Sequence, residues 1–239
     1  MTRAVAVVGV GGLGCPAAWC LAREGVSLRL IDEDRVEVSN LHRQMLYRES
    51  DVGRLKVEAA RDALHALNAN VACEFRSEHV VPERALELLK DVALVVEGSD
   101  NYPTKFLVAD ACKALGIPVV HGACVGWIGT VLPVIYGESA CYRCVFEDLP
   151  GRDAGDEPLT CATAGVYGPL TSAVGAMMAA DALRLLRGDR STAGVIARYD
   201  GWNQTFRATR FRRRRECPLC GDGVGAVTLE TARYVVDCG

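Results

Sequence analysis

Short apolar runs alternating with helix-patterned stretches dominate the first half of the chain. Ala4–Val8, Ser27–Ile31, Val92–Val96 and Ile117–His121 are rich in Val, Leu and Ile, Val71–Phe75 is bounded by Val and Phe, and each is short enough to read as a strand. Between them, apolar residues recur at helical spacing at about Asp51–Leu67 (Val57, Ala60, Leu64 and Leu67), Pro82–Leu89 and Lys105–Leu115. This alternation predicts a mostly parallel sheet with helices packed on it. Beyond Gly122 the pattern changes. Val125–Tyr136 and Ala140–Phe146 are β-rich with no helix between them, which predicts antiparallel strands extending the sheet. The acidic, Gly- and Pro-containing stretch Glu147–Pro158 reads as a loop. A long small-residue helix at about Gly168–Leu186 and two strands, Val195–Tyr199 and Thr205–Phe211, complete the pattern.

Composition narrows the class. With 239 residues, half of them hydrophobic, the chain is long enough for one large α/β domain. A net charge of −3 gives no electrostatic reason to expect nucleic acid or an anionic membrane as partner. No apolar stretch reaches the ~20 residues of a membrane span, and no signal-peptide pattern precedes the first strand, so a cytoplasmic protein is expected. Eleven cysteines, an odd number without a secretory signal, point to metal binding and free thiols rather than a disulfide framework.

Directly after the first strand comes Gly9-Val10-Gly11-Gly12-Leu13-Gly14. Glycines at this spacing permit a tight turn, close approach of a phosphate to the backbone and close packing of the next helix, whose N-terminus then faces the phosphate. Asp32 closes the second strand, where an acidic residue accepts hydrogen bonds from ribose hydroxyls. The expected fold is therefore α/β: a Rossmann-like doubly wound, mostly parallel sheet extended by antiparallel strands, with a four-cysteine zinc site. The glycine pattern alone leaves NAD, FAD, S-adenosylmethionine and ATP open as ligands. The organisation expected is a single domain over 1–239, with a nucleotide-binding half at 1–122, an antiparallel and zinc half at 123–221 and a tail at 222–239.

Cys141-Tyr-Arg-Cys144 and Cys217-Pro-Leu-Cys220 are two knuckles whose short turns aim paired sulfurs at one point. Four thiolates would fill a tetrahedral zinc and leave no open coordination position, so the metal would be structural. Around the glycine loop, Arg43 and Lys56 could neutralise phosphate charge, and Asp100 could hold Mg2+, a combination that favours triphosphate chemistry over a nicotinamide site.

Taken together, Gly9-x-Gly-Gly-Leu-Gly14, Asp32-x-Asp34, Ser39-Asn-Leu-x-Arg-Gln44, Asp51-x-Gly53-x2-Lys56-Val57, Ser99-Asp-Asn101, Cys141-Tyr-Arg-Cys144, Ala164-Gly-Val-x-Gly-Pro169 and Cys217-Pro-x-Cys-Gly221 resemble the ubiquitin-activating-enzyme-like adenylyltransferases. The likeness is to the bacterial enzymes that activate sulfur carriers for molybdopterin and thiamine synthesis. It covers nearly the whole chain. The resemblance implies ATP- and Mg2+-dependent adenylation of the C-terminal glycine of a small ubiquitin-like carrier ending in Gly-Gly, with release of pyrophosphate. It implies nucleotide contacts from Gly9, Gly11, Gly12, Gly14, Asp32, Asp34, Asn40, Arg43, Gln44, Lys56, Asp100 and Asn101, with catalysis resting on Arg43, Lys56 and Asp100. Cys161 matches the position where some relatives carry a cysteine that becomes linked to the carrier. The resemblance also implies a homodimer, for which the small-residue segment Gly168–Ala182 is a candidate interface.

Several departures bear on these expectations. The family's N-terminal arginine-bearing helix is not seen before the first strand, and no rhodanese-like segment follows, so a separate sulfur donor is expected. Lys105 stands where the family places an arginine, which is expected to weaken triphosphate contacts. The run Phe211-Arg-Arg-Arg-Arg215 reads either as a solvated strand end or as a docking patch for an acidic carrier. No histidine is assigned a role, with His121 expected to border the pocket. The competing classes are an adenylating enzyme for another peptide, a tRNA-base dehydratase, an NAD-dependent oxidoreductase and a non-catalytic scaffold.

Overall fold

The computed structural model describes residues 3–147, 149 and 165–234. A single eight-stranded sheet runs through it in the order β3-β2-β1-β4-β5-β6-β7-β8. Strands β1 (Val5–Val8), β2 (Leu28–Ile31), β3 (Cys73–Arg76), β4 (Leu94–Glu97) and β5 (Val119–Val125) pair in parallel. From β5 onward, β6 (Ile128–Val134), β7 (Val195–Asp200) and β8 (Thr205–Arg210) pair antiparallel.

The inner strands are buried on both faces, which is why they read as continuous apolar runs rather than as alternating ones. Along β1, Val5 and Val7 enter one core layer and Ala6 and Val8 the other. Helices α1 (Gly14–Arg23) and α2 (Lys56–Leu67) cover the first face together with α6 (Gly168–Leu186); α3 (Pro82–Leu89), α4 (Tyr102–Leu115) and the short α5 (Tyr142–Phe146) cover the second.

Two expectations change. Ala140–Phe146 is not a strand: Cys141 leads into α5, because bringing Cys141 and Cys144 to one point demands a turn that an extended chain cannot make. Helix α2 starts at Lys56 rather than near Asp51; Gly53 at φ +87° and extended Leu55 break the chain before it. The small-residue character of α6 is explained inside the molecule. A Cβ on Gly175 would fall 2.4 Å from Pro16 and 2.5 Å from the Leu13 carbonyl of α1, and one on Gly122 would strike Met178, so these glycines let α6 lie close against α1 and β5. The expected loop over 147–158 falls largely outside the described residues, and Cys161 wholly so.

Candidate active site

The carboxyl ends of β1, β2 and β4 open into a cleft of about 700 Å3, at the point where the strand order reverses between β1 and β4. Gly9, Gly11, Gly12, Asp32, Asp34, Asn40, Arg43, Gln44, Lys56, Asp100 and Asn101 all line it, so the structure brings together nearly every residue the sequence singled out for nucleotide contact. Gly14 lies behind the loop: its Cβ would sit 1.9 Å from the Gly9 carbonyl, which shows its role to be packing of α1 on β1. Gly9 adopts φ +80°, and Gly11 has only the Gln44 amide, 3.7 Å from an added Cβ, in front of it.

Asp32 is held by the loop it serves. Its carboxylate accepts N–H groups from Val10 at 2.7 Å and Asp34 at 2.9 Å. Burial raises its pKa, opposed by the nearby Lys56 ammonium and these two hydrogen bonds. Lys56, at the start of α2, is buried and donates to the half-solvated Asp34 carboxylate at 2.6 Å. Arg43 is steadied by the Ser39 carbonyl at 3.0 Å. Asn40 and Asn101 spend their side-chain oxygens on the backbone, accepting from Glu37 at 3.1 Å and Thr104 at 2.9 Å. The second of these caps α4 immediately after Asp100. Gln44 is 3% exposed with its carbonyl oxygen unpartnered in the wall of the cleft, an orphaned polar atom of the kind a bound ligand satisfies.

The sequence reading missed some of the wall. Glu33 and His79 pair at 2.7 Å on the rim, and Arg35, His42, Thr171 and Cys124 also line the cleft. The rim pair joins segments after β2 and β3, a proximity that depends on strand order and has no local signal. His121 does not border the cleft; it is 3% exposed, in contact with the buried Glu97 carboxylate at 3.1 Å. Lys105 is likewise buried against Glu97 and does not line the cleft, so the expected weakening of triphosphate contacts has no direct basis in its position.

On the opposite face of the sheet, the sulfurs of Cys141, Cys144, Cys217 and Cys220 lie within 4.8 Å of one another and all four residues are buried. Neighbouring sulfurs are 3.4–3.7 Å apart, close to the roughly 3.8 Å edge of a tetrahedron with Zn–S bonds of about 2.3 Å. The Arg214 N–H donates to the Cys144 sulfur. Arg213 and Arg214 also pair with Asp222 and Glu147, so half of the arginine run is spent around the knuckles. Arg143, between the first two cysteines, makes a buried bidentate pair with Asp110 of α4 at 2.8 and 2.9 Å, and Tyr234 donates to the same carboxylate at 2.7 Å.

A Thermus thermophilus protein named sulfur carrier protein adenylyltransferase is 45% identical over 98% of this chain and 88% of its own. The Haloferax volcanii SAMP-activating enzyme E1 is 38% identical over all of this chain and 87% of its own. Among solved structures, Escherichia coli MccB with ATP superposes with a TM-score of 0.80 at 21% identity, over 92% of this chain and 67% of that one, a likeness of fold. The ThiF family pattern matches residues 2–219, and the chain belongs to the ThiF family.

Proposed function

We propose that this protein adenylates the C-terminal glycine of a small ubiquitin-like sulfur carrier. The observation that carries the reading is one cleft uniting an open glycine loop, a ribose-type carboxylate, two cations and an exposed carboxylate at Asp100. The names of the 45% and 38% identical relatives agree with it.

In this reaction the carrier's terminal carboxylate oxygen attacks the α-phosphorus of ATP. A C–O–P bond forms, the α–β phosphoanhydride bond breaks, and pyrophosphate leaves with the electron pair. No proton need be removed from the nucleophile, so positioning and charge neutralisation supply the catalysis. Gly11 and Gly12 leave room for phosphate against the backbone, and the loop entering α1 offers the N–H groups of Gly11, Gly12 and Leu13, which donate to no backbone carbonyl among the described residues. Asp32 is placed for the ribose, and Arg43 and Lys56 for the charge that develops on the phosphates. Asp100, whose carboxylate has no partner among the described residues, would hold Mg2+, which shields phosphate charge when bound. The four thiolates fit zinc in a structural role.

The activated carrier would then take sulfur from a separate donor, and Cys161 is the candidate thiol for a covalent step. A homodimer is part of the reading; an exposed groove with Trp19, Met45, Leu46 and Leu67 on its walls supports it more directly than α6, which faces the core. Among the described residues no helix is long and apolar enough to cross a membrane, in keeping with a cytoplasmic enzyme.

Carrier-dependent exchange of pyrophosphate into ATP tests the reading. Exchange with a Gly-Gly-ending carrier, lost in Asp100→Ala, is expected; ATP binding without exchange for any member of a carrier panel would overturn it.

A further inference from the structure

Beneath the floor of the cleft lies a charged cluster that the chemistry above does not use. Glu97, the last residue of β4, is 0% exposed. Its two oxygens divide their work. Oε2 accepts from the Lys105 ammonium at 3.0 Å and faces His121 Nδ1 at 3.1 Å; Oε1 accepts the Ser99 N–H at 2.8 Å and the Ser99 hydroxyl. Lys105 also donates to the Gly122 carbonyl at 2.6 Å, so the cluster joins β4, α4 and β5.

Ion pairs this deeply buried are seldom worth more than packed apolar side chains, which turns attention from stability to the geometry the cluster fixes. Here the geometry concerned is a turn. Ser99 and Asp100 line the cleft, whereas Glu97, Lys105 and His121 do not. Asp100 is exposed, and its neighbours carry the restraint: Ser99 is tied down by Glu97 on one side, and Asn101 caps α4 on the other.

We propose that Glu97 is a positioning residue for magnesium-bound ATP: anchored by Lys105 and His121, it fixes Ser99 and thereby sets Asp100 at the mouth of the cleft. Lys105 then acts on the nucleotide through Glu97. The inference rests on the proposed function only in taking ATP as the ligand, and it is read without any carrier.

The test is calorimetric binding of ATP with Mg2+ and of ATP with EDTA, alongside thermal melting. Glu97→Asp shortens the carboxylate and Lys105→Arg lengthens the cation, so each single exchange breaks the fit. Combined, they are complementary, because an aspartate accepts the N–H two residues ahead in an Asx turn and the longer arginine reaches it. Each single variant is expected to weaken Mg2+-ATP binding about tenfold or more and ATP-EDTA binding by less than about threefold, with the double variant returning to within about threefold of the parent.

Lower melting temperatures with parent-like Mg2+-ATP binding would make the cluster a fold element only and overturn the proposal. So would a double variant as weak as the weaker single. If a single variant does not fold, Ser99→Ala, which removes the hydroxyl half of the Ser99–Glu97 tie and keeps the N–H half, is expected to show a smaller Mg2+-selective loss of about threefold; binding that is parent-like, or that falls equally with and without Mg2+, also overturns it. A parent chain that binds no ATP overturns this inference and the proposed function together, whereas ATP binding without carrier-dependent exchange overturns only the latter.

Discussion

The Asp32 carboxylate accepts the Val10 N–H at 2.7 Å, so the acidic end of β2 holds the first turn of the glycine loop in place. One side chain therefore shapes the glycine loop, and in the proposed function the same carboxylate meets the ribose. Asp32→Ala leaves the N–H groups of Val10 and Asp34 without this acceptor, and it is expected to cost about 1–3 kcal/mol in urea unfolding together with a loss of ATP affinity. Loss of affinity with unchanged stability would show that the loop does not need this support.

Lys56 behaves differently, because its partner Asp34 is 62% exposed in its side chain and can be rehydrated once the lysine is gone. Lys56→Ala is expected to cost modest stability, about 1 kcal/mol, because the carboxylate left behind is solvated even though the lysine itself is buried. Pyrophosphate exchange should nonetheless fall about 100-fold or more, since a preorganised cation at developing charge is being removed. Comparable losses in folding and in rate would mean the residue is structural.

Much of this architecture is legible in the chain. The spans Pro82–Leu89 and Gly168–Leu186 coincide with helices α3 and α6, and the glycine loop and Asp32 line the cleft at the carboxyl ends of the strands. What escapes the sequence has physical causes. Cys141–Phe146 has the aromatic and β-branched residues of a strand, yet the converging cysteines impose a turn. The Arg143–Asp110–Tyr234 network joins residues far apart along the chain, 124 positions in the case of Asp110 and Tyr234, and the Glu97–Lys105–His121 cluster joins three consecutive elements through side chains that share no helix or strand face. Periodicity carries no record of such pairings. A glutamate closing an otherwise apolar strand at Glu97 was the one local sign that a buried partner had to exist.

The four-cysteine cluster should bind about one zinc per chain. Elemental analysis is expected to find it in the native protein, and Cys217→Ser with Cys220→Ser to abolish it. Both knuckles belong to the core layer under α4 rather than to the cleft, so stripping the metal is expected to lower the melting temperature markedly while the protein that remains folded still binds ATP. A metal-free protein with unchanged melting would contradict the structural assignment.

The network on Asp110 grades two substitutions. Tyr234→Phe removes one hydrogen bond from a carboxylate that keeps its bidentate arginine, so the expected cost is about 1–2 kcal/mol. Arg143→Met removes the bidentate cation from a fully buried carboxylate and leaves it only the Tyr234 hydroxyl and Arg233 at 4.0 Å, for which about 3–5 kcal/mol is expected. Urea titration of both variants checks the order. A reversed order would mean that the C-terminal segment, rather than the ion pair, anchors the first knuckle.

Two glycines of the same loop separate folding from binding. At Gly14 an added methyl group would lie 1.9 Å from the Gly9 carbonyl oxygen, a backbone atom that cannot move without parting α1 from β1, so Gly14→Ala is expected to fail to fold. At Gly11 the nearest atom to an added Cβ is the Gln44 amide nitrogen at 3.7 Å, an ordinary contact, and its φ lies outside the left-handed region. Gly11→Ala should therefore melt within a few degrees of the parent. The methyl group would instead occupy the space on the cleft side that phosphate needs, so ATP binding measured by calorimetry is expected to fall at least about tenfold, the change that about 1.4 kcal/mol represents. Parent-like ATP affinity in a folded Gly11→Ala protein would place the phosphates away from this loop and move the site's chemistry elsewhere in the cleft.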